Sequence, residues 1–124
     1  GLALARRLER RPLDRPAEPI GVGGVAAGDV VRLVVDLAAP AGGDLRLDDL
    51  LLEVPLPGGC VVLAAPAGAR LEAGTLVVVP LTARVEVELL AVTPGEHRLL
   101  RARARALAGP DRAATSDELL LRVR

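Results

Sequence analysis

The sequence lacks phenylalanine, tyrosine and tryptophan, and it also lacks lysine, methionine, asparagine and glutamine. One aromatic side chain buries about 150 to 250 Å², so a core without aromatics must be built from closely packed small aliphatic side chains. The absence of methionine from a chain that begins at Gly1 leads us to expect that these 124 residues belong to a longer polypeptide. At this length, residues 1–124 are expected to form a single domain.

An excess of charge of either sign is also missing, because 16 arginines balance 16 acidic residues. Proteins that bind nucleic acid or anionic membranes depend on surplus positive charge, so we predict no nucleic-acid partner. No apolar run reaches the roughly 20 residues that a membrane-spanning helix needs, and we predict no membrane contact for this domain.

Cysteine occurs once, at Cys60, which excludes an internal disulfide and a zinc site built on several thiolates. Cys60 opens a β-branched run in which Val61 and Leu63 share one face and Cys60 and Val62 the other. We expect the thiol to face the core as a small hydrophobic group, with no neighbour that would activate it.

Eight segments have the alternation or the β-branched composition of short strands. They are residues 1–8, 29–37, 45–54, 60–64, 75–79, 84–92, 97–107 and 118–124. Turn-forming glycines and prolines separate them, for example in residues 39–44 and at Pro94–Gly95, where a type II turn is predicted. The predicted fold is an all-β, two-sheet antiparallel sandwich of about eight strands.

Residues 97–107 are ambiguous, because Leu, Arg and Ala also form helices readily. A period of two places Arg101, Arg103 and Arg105 on one face and Leu100 with the alternate alanines on the other, which favours a strand. We expect the three arginines to pair with Glu86 and Glu88 across the sheet.

The sequence contains few candidates for catalytic residues. His97 is the only imidazole and Ser116 the only serine, and nothing in the spacing pairs them. Asp44, Asp48 and Asp49 could offer oxygens to calcium, but they fit no EF-hand loop and a solvated turn is favoured. The run Gly21–Gly24 resembles part of a dinucleotide fingerprint, but a strand follows it where a helix is required. We predict no catalytic, metal or cofactor site.

The stretch Glu53–Gly59, EVPLPGG, predicts a rigid corner. Pro55 and Pro57 lack amide donors and fix φ, so the strand is expected to end at Val54. The two glycines would allow a sharp reversal, and we expect Gly59 to hold a positive φ.

This corner resembles the E/D-x-x-LP-x-G signature of the C-terminal macroglobulin-like domain of bacterial alpha-2-macroglobulin family proteins. Other features of that domain follow in the same order along the chain. They are a G-L-x-x-x-R strand (Gly1, Leu2 and Arg6 or Arg7), a Gly-Asp strand start (Gly28, Asp29), a pG-x-(4-5)-R-A strand (Pro94, Gly95, Arg101, Ala102) and a serine before the last strand (Ser116). The family's thioester motif, Cys-Gly-Glu-Gln, belongs to another domain and is not the GGCVVL of this chain.

The resemblance implies a macroglobulin-like, non-catalytic sandwich at the C-terminus of a larger bacterial peptidase trap. Such a domain would pack against a thioester-bearing region of the same chain, move when the trap closes, and meet peptidases only through the parent protein. The implied location is the periplasm, the cell envelope or the extracellular space. The alternative is a sandwich repeat of a bacterial adhesin or surface stalk.

Overall fold

The computed structural model describes residues 2–38, 46–108 and 112–124. These residues form twelve strands and one short 3-10 helix at Leu47–Asp49. The strands are β1 (Ala3–Arg10), β2 (Glu18–Pro19), β3 (Val30–Ala38), β4 (Leu50–Pro55), β5 (Cys60–Ala64), β6 (Arg70–Glu72), β7 (Thr75–Val78), β8 (Arg84–Ala91), β9 (Gly95–Leu99), β10 (Arg103–Ala106), β11 (Ala113–Thr115) and β12 (Leu119–Val123).

The strands are arranged in two packed five-stranded sheets and one two-stranded extension. The first sheet has the order β2-β1-β3-β8-β5, the second has the order β11-β10-β4-β7-β6, and β12 pairs with β9. Every strand pair is antiparallel, which confirms the predicted two-sheet antiparallel sandwich. A parallel bridge from Val25 to Val123 ties the long connector after β2 to the last strand.

The core lies between the two sheets and consists of leucine, valine and alanine side chains. On β3, Val31, Leu33 and Val35 are fully buried, as their alternation predicts. On β8, Val85, Val87 and Leu89 are buried, whereas Arg84 and Glu86 on the opposite face are exposed. The missing aromatics are thus replaced by many small side chains in close contact.

Residues 97–107 form strands, as predicted, but they form two strands in different sheets. The break between β9 and β10 falls at residues 100–102, so Leu100 is exposed instead of facing the core. The expected pairing of the arginines with Glu86 and Glu88 is wrong, because β10 lies between β4 and β11, away from β8. Arg105 pairs instead with Glu53 of β4 at 3.1 Å, and the two glutamates pair with Arg32.

The remaining differences concern short elements that the sequence pattern does not distinguish from loops. Strands β2, β6 and β11 lie in segments predicted as connections. Within residues 45–54, where the sequence predicts a strand, Leu47–Asp49 form the 3-10 helix and the strand itself begins at Leu50. The turn predicted at residues 39–44 lies outside the described residues.

The outer face of the first sheet carries cross-strand ion pairs. Asp36 of β3 accepts hydrogen bonds from Arg84 of β8 at 2.7 Å and from Arg7 of β1 at 2.8 Å. The hydrogen bond from Arg84 is the larger cause that lowers the pKa of the Asp36 carboxyl, and Arg7 adds to it. Three neighbouring strands are therefore linked through one carboxylate.

We expect this carboxylate to make stability depend on pH. Folding lowers the pKa of Asp36. The contribution of its carboxylate to the free energy of unfolding is therefore fully present when the pH is above the unfolded pKa of about 3.9, and it is lost as the pH falls through the folded pKa. Denaturant midpoints of the wild type and Asp36→Asn should therefore differ near neutral pH and converge in acid. A difference that stays constant down to acid pH would contradict this assignment.

Candidate functional site

The two residues best suited to catalysis are engaged in separate structural contacts. The His97 Nε2–H donates to the carbonyl oxygen of Thr93 at 2.7 Å. The Ser116 hydroxyl is buried and accepts a hydrogen bond from the amide of Ala102 at 3.0 Å. His97 lies in β9 and Ser116 lies between β11 and β12, and no hydrogen bond between them is seen.

The proline corner carries the chain from the second sheet, at β4, to the first sheet, at β5. The prediction that pairing stops at Val54 is wrong, because Pro55 still faces Thr75 of β7 and the Leu56 amide donates to Gly74 at 3.0 Å. A proline is tolerated at this position because Pro55 and Thr75 form a non-hydrogen-bonded pair, so the Pro55 nitrogen points away from β7, and β10 pairs with β4 only as far as Glu53. A bond of 3.3 Å from the Cys60 amide to the Pro57 carbonyl then closes the reversal.

Gly59 is buried beneath the ring of His97, and this contact explains why the position needs glycine. The expected positive φ at Gly59 is wrong, because it is not among the glycines with positive φ. A Cβ placed on Gly59 would lie within 2.5 Å of the Cδ2 and Cε1 atoms of His97. The Gly59 carbonyl accepts the amides of Val92 and Thr93 at 2.9 and 3.1 Å, which joins the corner to the segment that precedes β9.

A second cluster, which we call the arginine clasp, consists of Arg6, the end of β9 with the connection to β10 (residues 99–102), and Ser116 with Asp117. Arg6 lies on β1 between the inward-facing Leu4 and Leu8, so its side chain enters the sandwich instead of solvent. Its Nη2 donates to the carbonyl oxygens of Leu100 at 2.5 Å and Asp117 at 2.9 Å. Burial of the guanidinium lowers the pKa of Arg6.

Ser116 completes the clasp. Its amide donates to the Ala102 carbonyl at 3.0 Å, and its hydroxyl accepts from the Ala102 amide at the same distance. Arg101 adds a bond from its Nη1 to the Ser116 carbonyl at 3.3 Å. The β9–β10 and β11–β12 connections therefore lie side by side. The clasp provides hydrogen-bond partners for backbone groups that these connections would otherwise leave unpaired.

The Gly-Asp pair at the start of β3 also has a local structural role. The Gly28 amide donates to the Ala91 carbonyl at 2.7 Å, and Gly28 has a φ of 95° that favours glycine. The Asp29 carboxylate accepts the amide of Ala26 at 2.9 Å and so closes the turn that precedes the strand. Gly95, at the start of β9, likewise has a positive φ, of 131°.

Of the positions that carry the family resemblance, Arg6, Arg101, Ala102 and Ser116 meet at the clasp, Glu53–Gly59 form the corner, and Gly28 and Asp29 shape the start of β3. The sequence leaves Arg6 and Arg7 as alternatives for one motif position, and the structure distinguishes them because Arg7 faces outward to Asp36. The clasp and the stacking of His97 on Gly59 were missed by the sequence analysis. A signal for the clasp exists in hindsight, since Arg6 interrupts an otherwise apolar inward row at Leu2, Leu4 and Leu8.

Cys60 packs against the core together with Val62, while Val61 and Leu63 point outward, as their alternation predicts. The residue is half-buried, and this burial raises the pKa of its thiol. A raised pKa leaves little thiolate near neutral pH, and the thiolate is the reactive form.

We accordingly expect slow labelling of Cys60 by a thiol-specific disulfide reagent in the folded protein and fast labelling in denaturant. The comparison of the two rates at neutral pH is the measurement. Labelling of the native protein at the denatured rate would show that the thiol is open to solvent.

Metal and cofactor candidates do not assemble in the described part of the chain. Asp48 and Asp49 lie in the exposed 3-10 helix, and Asp44 lies outside the described residues. Across residues 2–38, 46–108 and 112–124, no three His, Cys, Asp or Glu side chains come together to hold a metal ion. The Gly21–Gly24 run leads to the bridge at Val25 and not to a helix.

A groove of about 320 Å³ lies between the connector and β12. Its lining is mainly aliphatic, with Leu8, Ile20, Val22 and Leu119 around one charged residue, Arg122. It offers no nucleophile and no acid–base pair. Among the described residues there is also no helix with the length and apolar character needed to cross a bilayer.

Comparison with known proteins identifies the fold. No family profile and no curated protein sequence matches the chain, but solved structures do. Alpha-2-macroglobulin from Salmonella, reacted with methylamine, aligns with a TM-score of 0.72 at 20% identity, over 98% of this chain and 9% of that protein. The chain has the fold of a bacterial alpha-2-macroglobulin domain.

Two further alpha-2-macroglobulin structures agree with this result. A fragment of the Escherichia coli protein, from domain MG7 to the C-terminus, aligns with a TM-score of 0.67 at 18% identity, over 98% of this chain and 23% of the fragment. The Y1175G mutant of the Salmonella alpha-2-macroglobulin gives 0.72 at 20% identity, again covering 98% of this chain and 9% of that chain. The chain thus spans a small part of each protein, and in the Escherichia coli protein the matched part lies between MG7 and the C-terminus.

Proposed function

We propose that residues 1–124 are a non-catalytic sandwich domain at the C-terminus of an alpha-2-macroglobulin-like peptidase trap. In this proposal the domain packs against a thioester-bearing region of the same polypeptide and moves when the trap closes. It meets peptidases only through the parent protein, in the periplasm, the cell envelope or the extracellular space. The observation that carries the proposal is the fold match over 98% of the chain, one match falling between MG7 and the C-terminus.

The two clusters support the same proposal. The motif positions Arg6, Arg101, Ala102 and Ser116 are distant in sequence yet meet at the clasp, and the motif Glu53–Gly59 forms the corner. Their contacts are hydrogen bonds to backbone groups and close packing, which hold an architecture together instead of performing chemistry.

The test is capture of trypsin by the parent polypeptide, compared with the parent that lacks residues 1–124. We expect the parent to retain trypsin and to shield it from a large protein substrate, and we expect the truncated form to lose capture. Circular dichroism and gel filtration would show that the truncated protein is folded. Undiminished capture by a folded truncated protein would contradict the proposal.

Hydrogen exchange supplies a second test that leaves the parent intact. If the domain moves on closure, amides in residues 1–124 should change their exchange rates when trypsin is added. Unchanged exchange throughout these residues during effective capture would contradict the movement. A parent polypeptide that consists of tandem sandwiches and does not capture trypsin would instead support the adhesin or stalk alternative.

The isolated chain should also be catalytically silent. His97 and Ser116 are held in separate backbone contacts, and the pKa of the Cys60 thiol is raised. We expect background rates with generic ester, peptide and phosphate substrates. Turnover that disappears in His97→Ala would contradict this expectation.

A further inference from the structure

The nucleophilic side chains of residues 1–124 form a short inventory. The chain has no lysine, and every basic side chain other than His97 is an arginine, 16 in all. A guanidinium keeps its proton in proteins and does not attack carbonyl carbon, whereas the ε-amine of lysine releases its proton more readily and is a site of acylation. The remaining candidates are one thiol, one imidazole and five hydroxyls, at Cys60, His97, Thr75, Thr82, Thr93, Thr115 and Ser116.

The arginines supply the charge pairing that lysines could also supply. On the first sheet, Arg84 and Arg7 both bind the carboxylate of Asp36. On β9, the Nε atom of Arg98 lies 3.7 Å from the carboxylate of Glu118. The surface therefore keeps its ion pairs without presenting a primary amine.

The structure leaves the thiol and the serine hydroxyl poorly reactive. Cys60 is half-buried, and this burial raises the pKa of its thiol. Little thiolate is then present near neutral pH, and the thiolate is the nucleophile. The Ser116 hydroxyl is buried, and its oxygen accepts the amide of Ala102 at 3.0 Å.

The four threonine hydroxyls lack the activation that they need. A hydroxyl attacks a carbonyl carbon efficiently only when an adjacent general base takes its proton. The one imidazole of the chain, His97, bonds the carbonyl oxygen of Thr93 instead of a hydroxyl, and the hydroxyl of Thr82 donates to the Arg84 carbonyl at 2.6 Å. An acyl group placed on the imidazole itself is removed again by water.

We infer that this domain is inert to acylation by the thioester of its own parent polypeptide. The inference rests on the proposed function for the thioester-bearing region that lies beside the domain. It goes further, because it gives the all-arginine surface a chemical role. The domain can lie next to an activated thioester without consuming it, which leaves the acyl group for amines outside the polypeptide.

The reaction that such a surface avoids is aminolysis of a thioester. An unprotonated amine attacks the thioester carbonyl carbon, a carbon–nitrogen bond forms, and the carbon–sulfur bond breaks. The sulfur leaves with the bonding electron pair and takes up the proton that the nitrogen releases, so the products are an amide and a thiol. A lysine within reach would be cross-linked to its own chain by this route.

The first test treats the 124-residue chain with S-phenyl thioacetate at neutral pH. Mass spectrometry should find one stable acetyl group, on the α-amine of Gly1, which is free in the isolated chain. Arg103→Lys, at an exposed position of β10, should carry a second acetyl group. Arg103→Gln, which also alters the side chain but has no amine, is the matched control and should carry one. A second stable acetyl group on the wild type overturns the inference.

The parent polypeptide provides the decisive test. The exposed arginines Arg84, Arg98 and Arg103 lie on the first sheet, on β9 and on the second sheet. Each is replaced singly by lysine, which keeps the charge and adds an amine, and the parent is activated with trypsin. In the wild type no peptide from residues 1–124 should carry the acyl group of the thioester. In at least one lysine variant that group should appear as an amide on the new lysine, with a loss of covalently attached trypsin.

Three results overturn the inference. They are acylation within residues 1–124 of the wild-type parent, a parent that takes up no methylamine and so has no thioester, and the lack of an adduct in all three lysine variants. If trypsin capture still depends on residues 1–124 in that last case, the inference falls and the proposed function stands. Undiminished capture by the folded truncated parent contradicts the proposed function instead.

Discussion

Replacing Gly59 with valine is expected to lower the free energy of unfolding by about 2 to 4 kcal/mol. Overpacking of a closely packed site costs about 1 to 3 kcal/mol, and expelling His97 removes its hydrogen bond to Thr93, worth about 0.5 to 1.5 kcal/mol. Gly59→Ala should have a smaller effect in the same direction, because its single Cβ already meets the imidazole. Denaturant midpoints and slopes measure these changes.

Gly58 is the matched control for this prediction. It is exposed, it does not have a positive φ, and a Cβ added to it would meet nothing within 4 Å. Gly58→Ala should therefore be neutral or slightly stabilising through the unfolded chain.

The cause can be separated from backbone strain by a double-mutant cycle. On a His97→Ala background, Gly59→Ala should cost little, because the ring that occupies the Cβ position is gone. A cost for Gly59→Ala that is the same with and without the imidazole would show that the backbone, and not His97, dictates glycine.

Replacing Arg6 with alanine is expected to lower the free energy of unfolding by about 2 to 4 kcal/mol. Hydrogen bonds from a charged donor contribute about 1.5 to 3 kcal/mol each, and Arg6 bonds the carbonyls of Leu100 and Asp117. Without the guanidinium these carbonyls lose their partner, and the gap between Leu4 and Leu8 is left empty. The expected loss is smaller than the sum of two such bonds, because the Nε and Nη1 atoms of Arg6 are buried without a hydrogen-bond partner among the described residues and their removal relieves that cost.

Variants of the same strand test which property of Arg6 matters. Arg6→Lys keeps the charge but lacks the planar fork, so an intermediate loss is expected. Arg7→Ala removes an exposed ion pair from the opposite face and should cost less than about 1 kcal/mol. If Arg6→Leu proves as stable as the wild type, packing alone explains the position and the clasp has no energetic role.

The sequence predicts the sandwich well because its longest strands are one-sided. Along β8 charged and apolar residues alternate from Arg84 to Leu89, and along β3 every second residue from Val31 to Leu37 is apolar, so a period of two predicts both the strand and the buried face. The same rule separates strand from helix in residues 97–107. It cannot locate the break at residues 100–102, because that break depends on contacts with β1 and with Ser116, which are distant in sequence.

The corner shows a second limit of sequence reasoning. Two prolines and two glycines predict a reversal, and the chain does reverse between the sheets. The reason for Gly59 is tertiary, since His97 comes from a strand 38 residues further along the chain and fills the Cβ position. A local pattern can therefore predict a turn that contains glycine without revealing which neighbour excludes a side chain at that position.

The most direct test of the central claim is the amino-acid sequence of the polypeptide on the N-terminal side of Gly1. A non-catalytic domain at the C-terminus of an alpha-2-macroglobulin-like trap should follow a helical domain, which in thioester-bearing members contains the Cys-Gly-Glu-Gln motif. We predict that such a helical domain directly precedes residue 1. A run of tandem β-sandwiches in its place would contradict the account and favour an adhesin or surface stalk.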